Sequence, residues 1–152
     1  MVSNDGDGGQ DTLIGIERVI GSAFNDSIVG SGADDDFTGN AGNDTLDGGS
    51  GGFDFVWYGG APSAVQIDLQ AGTATGGEGN DTLISIEGIA GTNFADSLAG
   101  SSVNNYFRGG GSADTIDGRS GFDIIDYRDD GAGVTINLAA GTAIDGTGAT
   151  DM

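Results

Sequence analysis

A nine-residue pattern recurs along this chain and restricts its fold more than any other feature does. GNAGNDTLD at 39–47, GGEGNDTLI at 76–84 and GRSGFDIID at 118–126 place Gly near the start, Asp sixth and an aliphatic residue eighth. Each unit divides into a glycine-rich turn and a strand too short to stand alone, so the units must stack on one another. The sequence therefore predicts an all-β fold, a parallel β-roll or β-solenoid.

The units fall into two blocks, with starts at 21, 30, 39 and 48 and again at 91, 100, 109 and 118. The eighth position, which alternation turns toward the interior, is apolar in every unit. It holds Ile28, Phe37, Leu46, Phe55, Leu98, Phe107, Ile116 and Ile125. Between the blocks, Val65, Ile67 and Leu69 alternate with polar residues, as do Val134, Ile136 and Leu138, which predicts two longer half-buried strands.

A longer period lies above the nonapeptide. Residues 10–30 match 80–100 at an offset of 70, and residues 64–75 match 133–144 at an offset of 69. The two offsets differ by one because Gly51-Gly52-Phe53 in the first copy aligns with only two residues, Gly121-Phe122, in the second. The pattern predicts two super-repeats of about 70 residues, 1–75 and 76–145. Residues 146–152 open a third, so we expect a piece of a longer protein.

Charge limits the partners. The chain has 24 acidic residues, four arginines, and no lysine, histidine or cysteine, giving a formal charge of −20. Nucleic acid and anionic membranes are excluded because their surfaces require basic residues, and no run of 18 apolar residues predicts a membrane span. Without Cys or His, disulfides and zinc or copper sites are not expected, which leaves hard cations with oxygen ligands.

The spacing places acidic side chains over one another. If two units make one coil, Asp26 stacks on Asp44, Asp35 on Asp54, Asp96 on Asp114 and Asn105 on Asp123. Facing carboxylates repel, and a divalent cation between them turns that repulsion into ligation. Calcium suits such flexible, carbonyl-rich sites better than magnesium, which demands strict octahedral geometry.

The pattern resembles the G-G-x-G-x-D-x-U-x motif of the repeats-in-toxin (RTX) family, the hemolysin-type calcium-binding repeats of bacterial type I secreted proteins. The resemblance implies a β-roll with Ca²⁺ between turns, secretion, and calcium-coupled folding outside the cell. It implies that the sixth-position residues are ligands: Asp11, Asp26, Asp35, Asp44, Asp54, Asp81, Asp96, Asn105, Asp114 and Asp123. Backbone carbonyls near the turn glycines would complete the sites, at Gly39, Gly48, Gly109 and Gly118.

We therefore expect a calcium-binding extracellular structural module and not an enzyme. GGSGG at 48–52 matches a nucleophile elbow by letter but has no histidine to act as its base, and the repeat itself accounts for the carboxylate pairs. One alternative is a carbohydrate-binding or substrate-guiding module of a secreted polysaccharide-active enzyme, similar to the repeat modules of mannuronan epimerases. Another is an adhesin or surface-layer segment that packs against neighbouring repeats. Trp57, Tyr58 and Tyr127 are candidates for a sugar-stacking platform or for packing in the core or at its rim.

Overall fold

The computed structural model describes residues 12–152, which form short strands joined by tight turns and contain no helix. In the first half the strands are β1 (Arg18–Ile20), β2 (Ser27–Val29), β3 (Asp36–Thr38), β4 (Thr45–Asp47), β5 (Phe55–Trp57), β6 (Val65–Asp68), β7 (Thr73–Gly76) and β8 (Gly79–Ile84). The second half has β9 (Gly88–Ala90), β10 (Ser97–Ala99), β11 (Tyr106–Arg108), β12 (Thr115–Asp117), β13 (Ile124–Ile125), β14 (Thr135–Asn137), β15 (Thr142–Ile144) and β16 (Thr150–Asp151). The all-β prediction is confirmed, and the described part has no helix able to cross a membrane.

Two nonapeptides make one coil. Successive strands alternate between two facing sheets, so a strand pairs in parallel with the strand two units further on. Val19 lies beside Phe37 and Leu98 beside Ile116, each pair 18 residues apart. One sheet has six strands, in the order β1-β3-β5-β9-β11-β13, and every pairing in it is parallel.

The second sheet departs from a purely parallel stack. Its order is β12-β10-β6-β7-β8-β4-β2, and β7 runs antiparallel to both β6 and β8. The chain reverses at the start of the AGTA segment, residues 71–74, between β6 and β7. There the Asp68 side chain accepts the Ala71 N–H at 2.9 Å, and Gly72 has φ of 70°. The strands β14, β15 and β16 form a small antiparallel sheet of the same kind.

The core is a single layer of apolar side chains between the two sheets. Phe37, Leu46, Leu98 and Phe107 are fully buried there, which confirms the eighth position as the inward one. The prediction for Phe55 was wrong: its neighbour Val56 points inward and is fully buried, while Phe55 lies on the outer face. The extra residue at Gly51-Gly52 shifts the whole unit by one position.

The two intervening segments differ. Val65 and Ile67 are buried, as the alternation predicts, because β6 pairs with β10 and β7 inside the seven-stranded sheet. Their counterparts do not match the prediction: Ile136 is 45% exposed and Leu138 is 85% exposed. The reason is position, since β14 pairs with β15 alone and no other strand of residues 12–152 pairs with it.

Candidate metal centre

The sixth-position side chains line the two edges of the roll, where the chain passes from one sheet to the other. In each predicted pair, the first residue donates its backbone N–H to the side chain of the second, one coil later. The predicted pairs are all brought together in this way. The N···O distances are 2.9 Å for Asp26–Asp44, 2.8 Å for Asp35–Asp54, 2.9 Å for Asp96–Asp114 and 2.9 Å for Asn105–Asp123.

The first member of each pair lies in a turn closed by a hydroxyl group, here called a capped turn. In the turn of Asp26, the Ser22 N–H donates to Asp26 Oδ2 at 2.6 Å and the Ser22 hydroxyl accepts the Phe24 N–H at 3.1 Å. The same two bonds recur in the turns of Asp35, Asp96 and Asn105. Capped turns therefore satisfy the sixth-position side chain from within the protein.

The second member of each pair lies in a different turn, here called a left-handed turn. Its second residue has positive φ, which directs the N–H of that residue away from the unit's own carboxylate. The four residues are Asn40 at 67°, Gly49 at 98°, Gly110 at 99° and Arg119 at 64°. The Gly49 and Arg119 N–H groups donate instead to Asp47 and Asp117, which end the preceding strands.

The carboxylates of the left-handed turns are poorly satisfied. Among the described residues, Asp44 Oδ2 is a buried oxygen with no hydrogen-bond partner. Burial raises the pKa of Asp44 and of Asp54, and nearby carboxylates raise both further. Burial also raises the pKa of Asp114 to about 7, with added repulsion from Asp151 and Asp96. A nearby positive charge would lower the cost of ionising these carboxylates.

The glycine at position 1 makes room for the carboxylate. A Cβ on Gly39 would lie 2.2 Å from Asp44 Oδ2, and one on Gly109 would lie 2.2 Å from Asp114 Oδ2. Any side chain at these positions would displace the aspartate. The same holds at Gly48 and Gly118, beside Asp54 and Asp123.

Carbonyl oxygens fill the space between coils. The oxygens of Gly39, Gly48, Gly109 and Gly118 face the preceding coil, beside the α-carbons of Gly21, Gly30, Gly91 and Gly100 respectively. Oxygens from the turns also press on the following coil: a Cβ on Gly110 would lie 1.8 Å from Thr92 O. The edges therefore offer the neutral oxygen donors that a hard cation requires.

The sequence did not predict the hydrogen bonds that Glu87, Tyr58 and Tyr127 make at the edges of the roll. Glu87 accepts the Asp54 N–H at 3.0 Å and occupies the place of an aspartate. The Tyr58 hydroxyl donates to Asp81 at 2.8 Å, and the Tyr127 hydroxyl donates to Asp151 at the same distance. Glu87 recurs as Glu17, and Tyr58 recurs as Tyr127, each near the 70-residue period. That recurrence is the sequence feature from which a shared structural role could have been predicted.

The tyrosines therefore do not form a sugar platform. Tyr58 is buried, and the hydroxyls of both Tyr58 and Tyr127 are committed to carboxylates. Burial raises the pKa of both hydroxyls, and the adjoining aspartates raise it further, so both remain protonated donors.

A second ladder follows the fifth position and was also missed. Asn25 Oδ1 accepts the Asn43 N–H at 2.8 Å, and Asn43 Oδ1 accepts the Asn80 N–H at 2.9 Å. Asp34 and Asn104 bond to Phe53 and Phe122 in the same way. The repeated Asn or Asp before the sixth position is thus explained by contacts between coils.

Within residues 12–152, no three acidic side chains come together as a metal-binding cluster. An ion held at these turns would need backbone carbonyl or water oxygens beside one or two carboxylates. Mixed shells of this kind suit Ca²⁺, and the buried unpaired oxygen of Asp44 fits such a ligand. Of the predicted ligands, Asp11 lies outside the described residues.

Comparison with protein families matches the RTX calcium-binding nonapeptide repeat, in four copies over residues 20–52, 71–85 and 90–125. No curated protein sequence gave a significant match. Repeats of this family are typically structural rather than catalytic and are associated with secreted bacterial proteins. The match covers more than half of the chain and all of the stacked sixth-position pairs except Asp54, and the chain belongs to the RTX calcium-binding repeat family.

Proposed function

We propose that this chain is an extracellular structural module that binds several Ca²⁺ ions and folds on binding them after secretion. Family membership supports calcium as the ion. The observation that carries the proposal is the set of left-handed turns: the carboxylates of Asp44, Asp54 and Asp114 are buried in them, and Asp44 Oδ2 has no hydrogen-bond partner. The structural units are the two super-repeats, 1–75 and 76–145, with 146–152 opening a third.

The ligands fall into two groups in this proposal. Asp44, Asp54, Asp114 and Asp123 are the principal carboxylate ligands, because the N–H groups of their own turns leave them free. Carbonyl oxygens, including those of Gly39, Gly48, Gly109 and Gly118, complete the shells. Asp26, Asp35, Asp96 and Asn105 contribute less, since N–H groups already occupy their oxygens. Asp81 is held by Asp44 and Tyr58.

Charge makes folding depend on the ion. A chain with a formal charge of −20 resists compaction, and each buried carboxylate adds a desolvation cost. At about tenfold saturation, one bound ion stabilises the folded state by about 1.4 kcal/mol. Four such ions would contribute about 6 kcal/mol, which is comparable to the net stability of a whole domain.

A calcium titration tests the proposal. We expect far-UV circular dichroism to show little β-structure in excess chelator and a cooperative gain as Ca²⁺ is added. The fluorescence of Trp57, the only tryptophan, should change over the same range. Mg²⁺ at equal concentration is the control and should not substitute. A β-sheet spectrum unaffected by chelator would contradict calcium-coupled folding.

The outer face of the six-stranded sheet favours a second candidate function, carbohydrate binding. Phe55, Trp57 and Tyr106 cluster there, with ring centroids 4.8 Å apart for Phe55–Trp57 and 5.9 Å for Phe55–Tyr106. The guanidinium groups of Arg18 and Arg108 lie 5.8 and 5.6 Å from the Trp57 ring. Aromatic rings flanked by hydrogen-bond donors are suited to sugar rings.

The local charge selects the class of sugar. Arg108 pairs with Asp126 at 3.2 Å and with Asp129 at 3.0 Å, so its charge is balanced. We therefore expect a neutral polysaccharide rather than an acidic one. Calorimetric binding by the calcium-loaded chain should be lost in Trp57→Ala and retained in Phe122→Ala, which removes an exposed ring from a turn. No binding of neutral polysaccharide by the unsubstituted chain would eliminate this candidate.

A further inference from the structure

One nonapeptide matches the family motif at every fixed position but forms neither a capped turn nor a left-handed turn. GGEGNDTLI at 76–84 folds into the hairpin of β7 and β8, in which Gly76 pairs with Gly79 across the two-residue turn Gly77-Glu78. β7 runs antiparallel to β8, whereas β4 and β12, which follow left-handed turns, pair only in parallel with the strands beside them. The most regular nonapeptide therefore differs in local structure from the turns that hold the proposed calcium ligands.

The first glycine of this hairpin unit also has a different neighbour. A Cβ on Gly76 would lie 2.4 Å from Ala64 O, a backbone oxygen beside β6. In the left-handed turn, by contrast, a Cβ on Gly39 would lie 2.2 Å from Asp44 Oδ2, in the same unit. The glycine at position 1 therefore makes room for a neighbouring backbone in the hairpin and for the aspartate in the left-handed turn.

Both carboxylate oxygens of Asp81, the sixth residue of the hairpin unit, have hydrogen-bond donors. Oδ1 accepts the Asp44 N–H at 2.9 Å, and Oδ2 accepts the Tyr58 hydroxyl at 2.8 Å. One coil earlier, Asp44 Oδ1 accepts the Asp26 N–H at 2.9 Å, but within residues 12–152 its buried Oδ2 has no partner. Asp81 and Asp44 are both buried, so what distinguishes their carboxylates is the tyrosine hydroxyl.

The tyrosine comes from outside the nonapeptide pattern. Tyr58 follows β5 in the six-stranded sheet, and its N–H donates to Ala90 O at 2.9 Å. Its ring belongs to the core between the sheets, and its hydroxyl reaches Asp81 in β8 of the seven-stranded sheet. The hydrogen bond therefore connects the two sheets through the interior.

The same bond recurs later in the chain. Asp151 Oδ1 accepts the Asp114 N–H at 2.9 Å, and Asp151 Oδ2 accepts the Tyr127 hydroxyl at 2.8 Å. Asp151 lies in β16, which runs antiparallel to β15 as β8 does to β7. By the proposed boundaries, each tyrosine belongs to one super-repeat and its aspartate to the next. The bond is thus a feature of the junction between successive super-repeats.

We infer that a tyrosine hydroxyl takes the place of a calcium ion at the hairpin aspartate, so that each junction between super-repeats requires no ion of its own. The pairs are Tyr58–Asp81 and Tyr127–Asp151. A hydroxyl donates a charge-assisted hydrogen bond to the carboxylate without bringing a second charge into the interior. An ion at Asp81 Oδ2 would displace the Tyr58 hydroxyl and leave it buried without a partner. The inference rests on the proposed function, because it assigns the ions to the left-handed turns and excludes them from the hairpins.

Calorimetric titration with Ca²⁺ tests which aspartates bind. Asp81→Asn should bind as many ions as the unsubstituted chain, because the amide Oδ1 accepts the Asp44 N–H and Nδ2 donates to the Tyr58 oxygen. Asp44→Asn, one coil earlier, should bind one ion fewer. Loss of an ion in Asp81→Asn overturns the inference. An Asp44→Asn chain that keeps every ion would instead contradict the proposed function.

Removing the hydroxyl alone tests the role of the tyrosine. Tyr58→Phe leaves the buried Asp81 carboxylate with one donor fewer, so folding followed by far-UV circular dichroism should require several-fold more Ca²⁺. The number of ions bound at saturation should not change. Adding Asp81→Asn to Tyr58→Phe should return the calcium midpoint toward that of the unsubstituted chain, because the buried charge is gone. A change at Asp81 would not rescue a defect in ring packing.

Tyr106→Phe is the matched control. The Tyr106 hydroxyl also donates to an aspartate, Asp126, but on the outer face, where Arg108 and Arg128 pair with the same carboxylate at 3.2 and 2.7 Å. Its calcium midpoint should therefore stay close to that of the unsubstituted chain. Equal midpoints for Tyr58→Phe and Tyr106→Phe would overturn the inference, as would a double variant no better than Tyr58→Phe. If Tyr58→Phe does not fold at any Ca²⁺ concentration, recovery of folding in the double variant still decides the question.

Discussion

Two kinds of turn alternate along each edge of the roll, and they use the same sixth-position residue for different purposes. In a capped turn such as that of Asp96, the Thr92 N–H and hydroxyl satisfy the carboxylate at 2.6 and 2.9 Å. In the left-handed turn of Asp114, one coil later, Gly110 has φ of 99° and does not provide that N–H. The comparison teaches that a regular spacing of aspartates within one chain can place their carboxylates in chemically different surroundings.

Asn105 supports this distinction. It stands in a capped turn, where its Oδ1 accepts the Ser101 N–H at 2.7 Å and its Nδ2 donates to Glu87 O at 3.2 Å. An amide meets both requirements without a charge. The capped turns therefore need only an acceptor at the sixth position, whereas the left-handed turns hold the carboxylates that we propose as the principal calcium ligands.

The largest expected effect is that of pH on the calcium-free chain. Burial raises the pKa of Asp114 to about 7 in the folded state, above the ordinary aspartate value of 3.8, so folding favours the protonated form. This stabilisation is fully present below pH 3.8 and is lost as the pH rises through about 7. The upward shift of about three units in the pKa of Asp114 corresponds to at most about 4 kcal/mol in the free energy of unfolding.

Far-UV circular dichroism in chelator should therefore show more β-structure at pH 5 than at pH 8. Asp114→Asn should weaken this dependence, because an amide does not titrate. With Ca²⁺ present the trend reverses, since protons compete with the ion and more Ca²⁺ is needed at pH 5. A calcium-free chain that loses structure on acidification from pH 8 to 5 would contradict the burial argument.

The next effect concerns the backbone of the left-handed turn. Gly110→Ala places a Cβ at φ of 99° and 1.8 Å from Thr92 O, so the two coils must separate. We expect a loss of about 3 kcal/mol from strain and lost packing. Gly111→Ala is the matched control, since its Cβ would lie 3.6 Å from the nearest atom, Asn93 O. Chemical denaturation in saturating Ca²⁺ measures both, and equal losses would mean that the turn geometry is not the cause.

Much of this arrangement followed from sequence spacing. Phe37 and Leu46 were predicted to face inward and do so, and the stacked pairs such as Asp26 and Asp44 follow from two units per coil. These features depend on period alone. The prediction failed at Phe55, because an inserted residue in a glycine-rich turn leaves no local signal of where the register resumes.

The difference between the turns was harder to predict. Ser22 and Asn40 are both short polar residues at the second position, yet one caps the turn and the other has φ of 67°. Gly42, at the fourth position of the left-handed turn, has φ of 140° and lies so close to the Phe24 backbone of the preceding coil that a Cβ would come within 2.7 Å of it. That constraint comes from packing between coils and is absent from a single nonapeptide. Likewise, the reversal at Gly72 depends on a turn whose partner strand is fixed only in the assembled sheet.

Single substitutions of the proposed ligands test the difference between the two kinds of turn, and we expect their effects on stability to be intermediate in size. Asp114→Asn should remove one calcium site and about 1.4 kcal/mol of stabilisation at tenfold saturation. Asp96→Asn, one coil earlier, should retain the calcium stoichiometry because its turn is capped by Thr92. Asp44→Asn and Asp26→Asn form the same pair in the first super-repeat. Isothermal titration calorimetry distinguishes them, and equal loss of ions in all four variants would show that diffuse charge, rather than turn type, controls binding.

The smallest effect tests the capped turn from the opposite direction, by adding a charge where the chain has none. Asn105→Asp keeps the acceptor for the Ser101 N–H but loses the donor to Glu87 O, and it places a second carboxylate near Asp123. We expect the free energy of unfolding to fall by about 1 kcal/mol. No additional ion should bind, because the capped turn leaves no oxygen free to coordinate one. Asn104→Asp adds the same charge at the neighbouring exposed residue and keeps its bond to the Phe122 N–H, so it should be nearly neutral. If Asn105→Asp instead gained a calcium ion and stability, an aspartate alone would be enough to create a site, and the left-handed turn would not be what selects the ion.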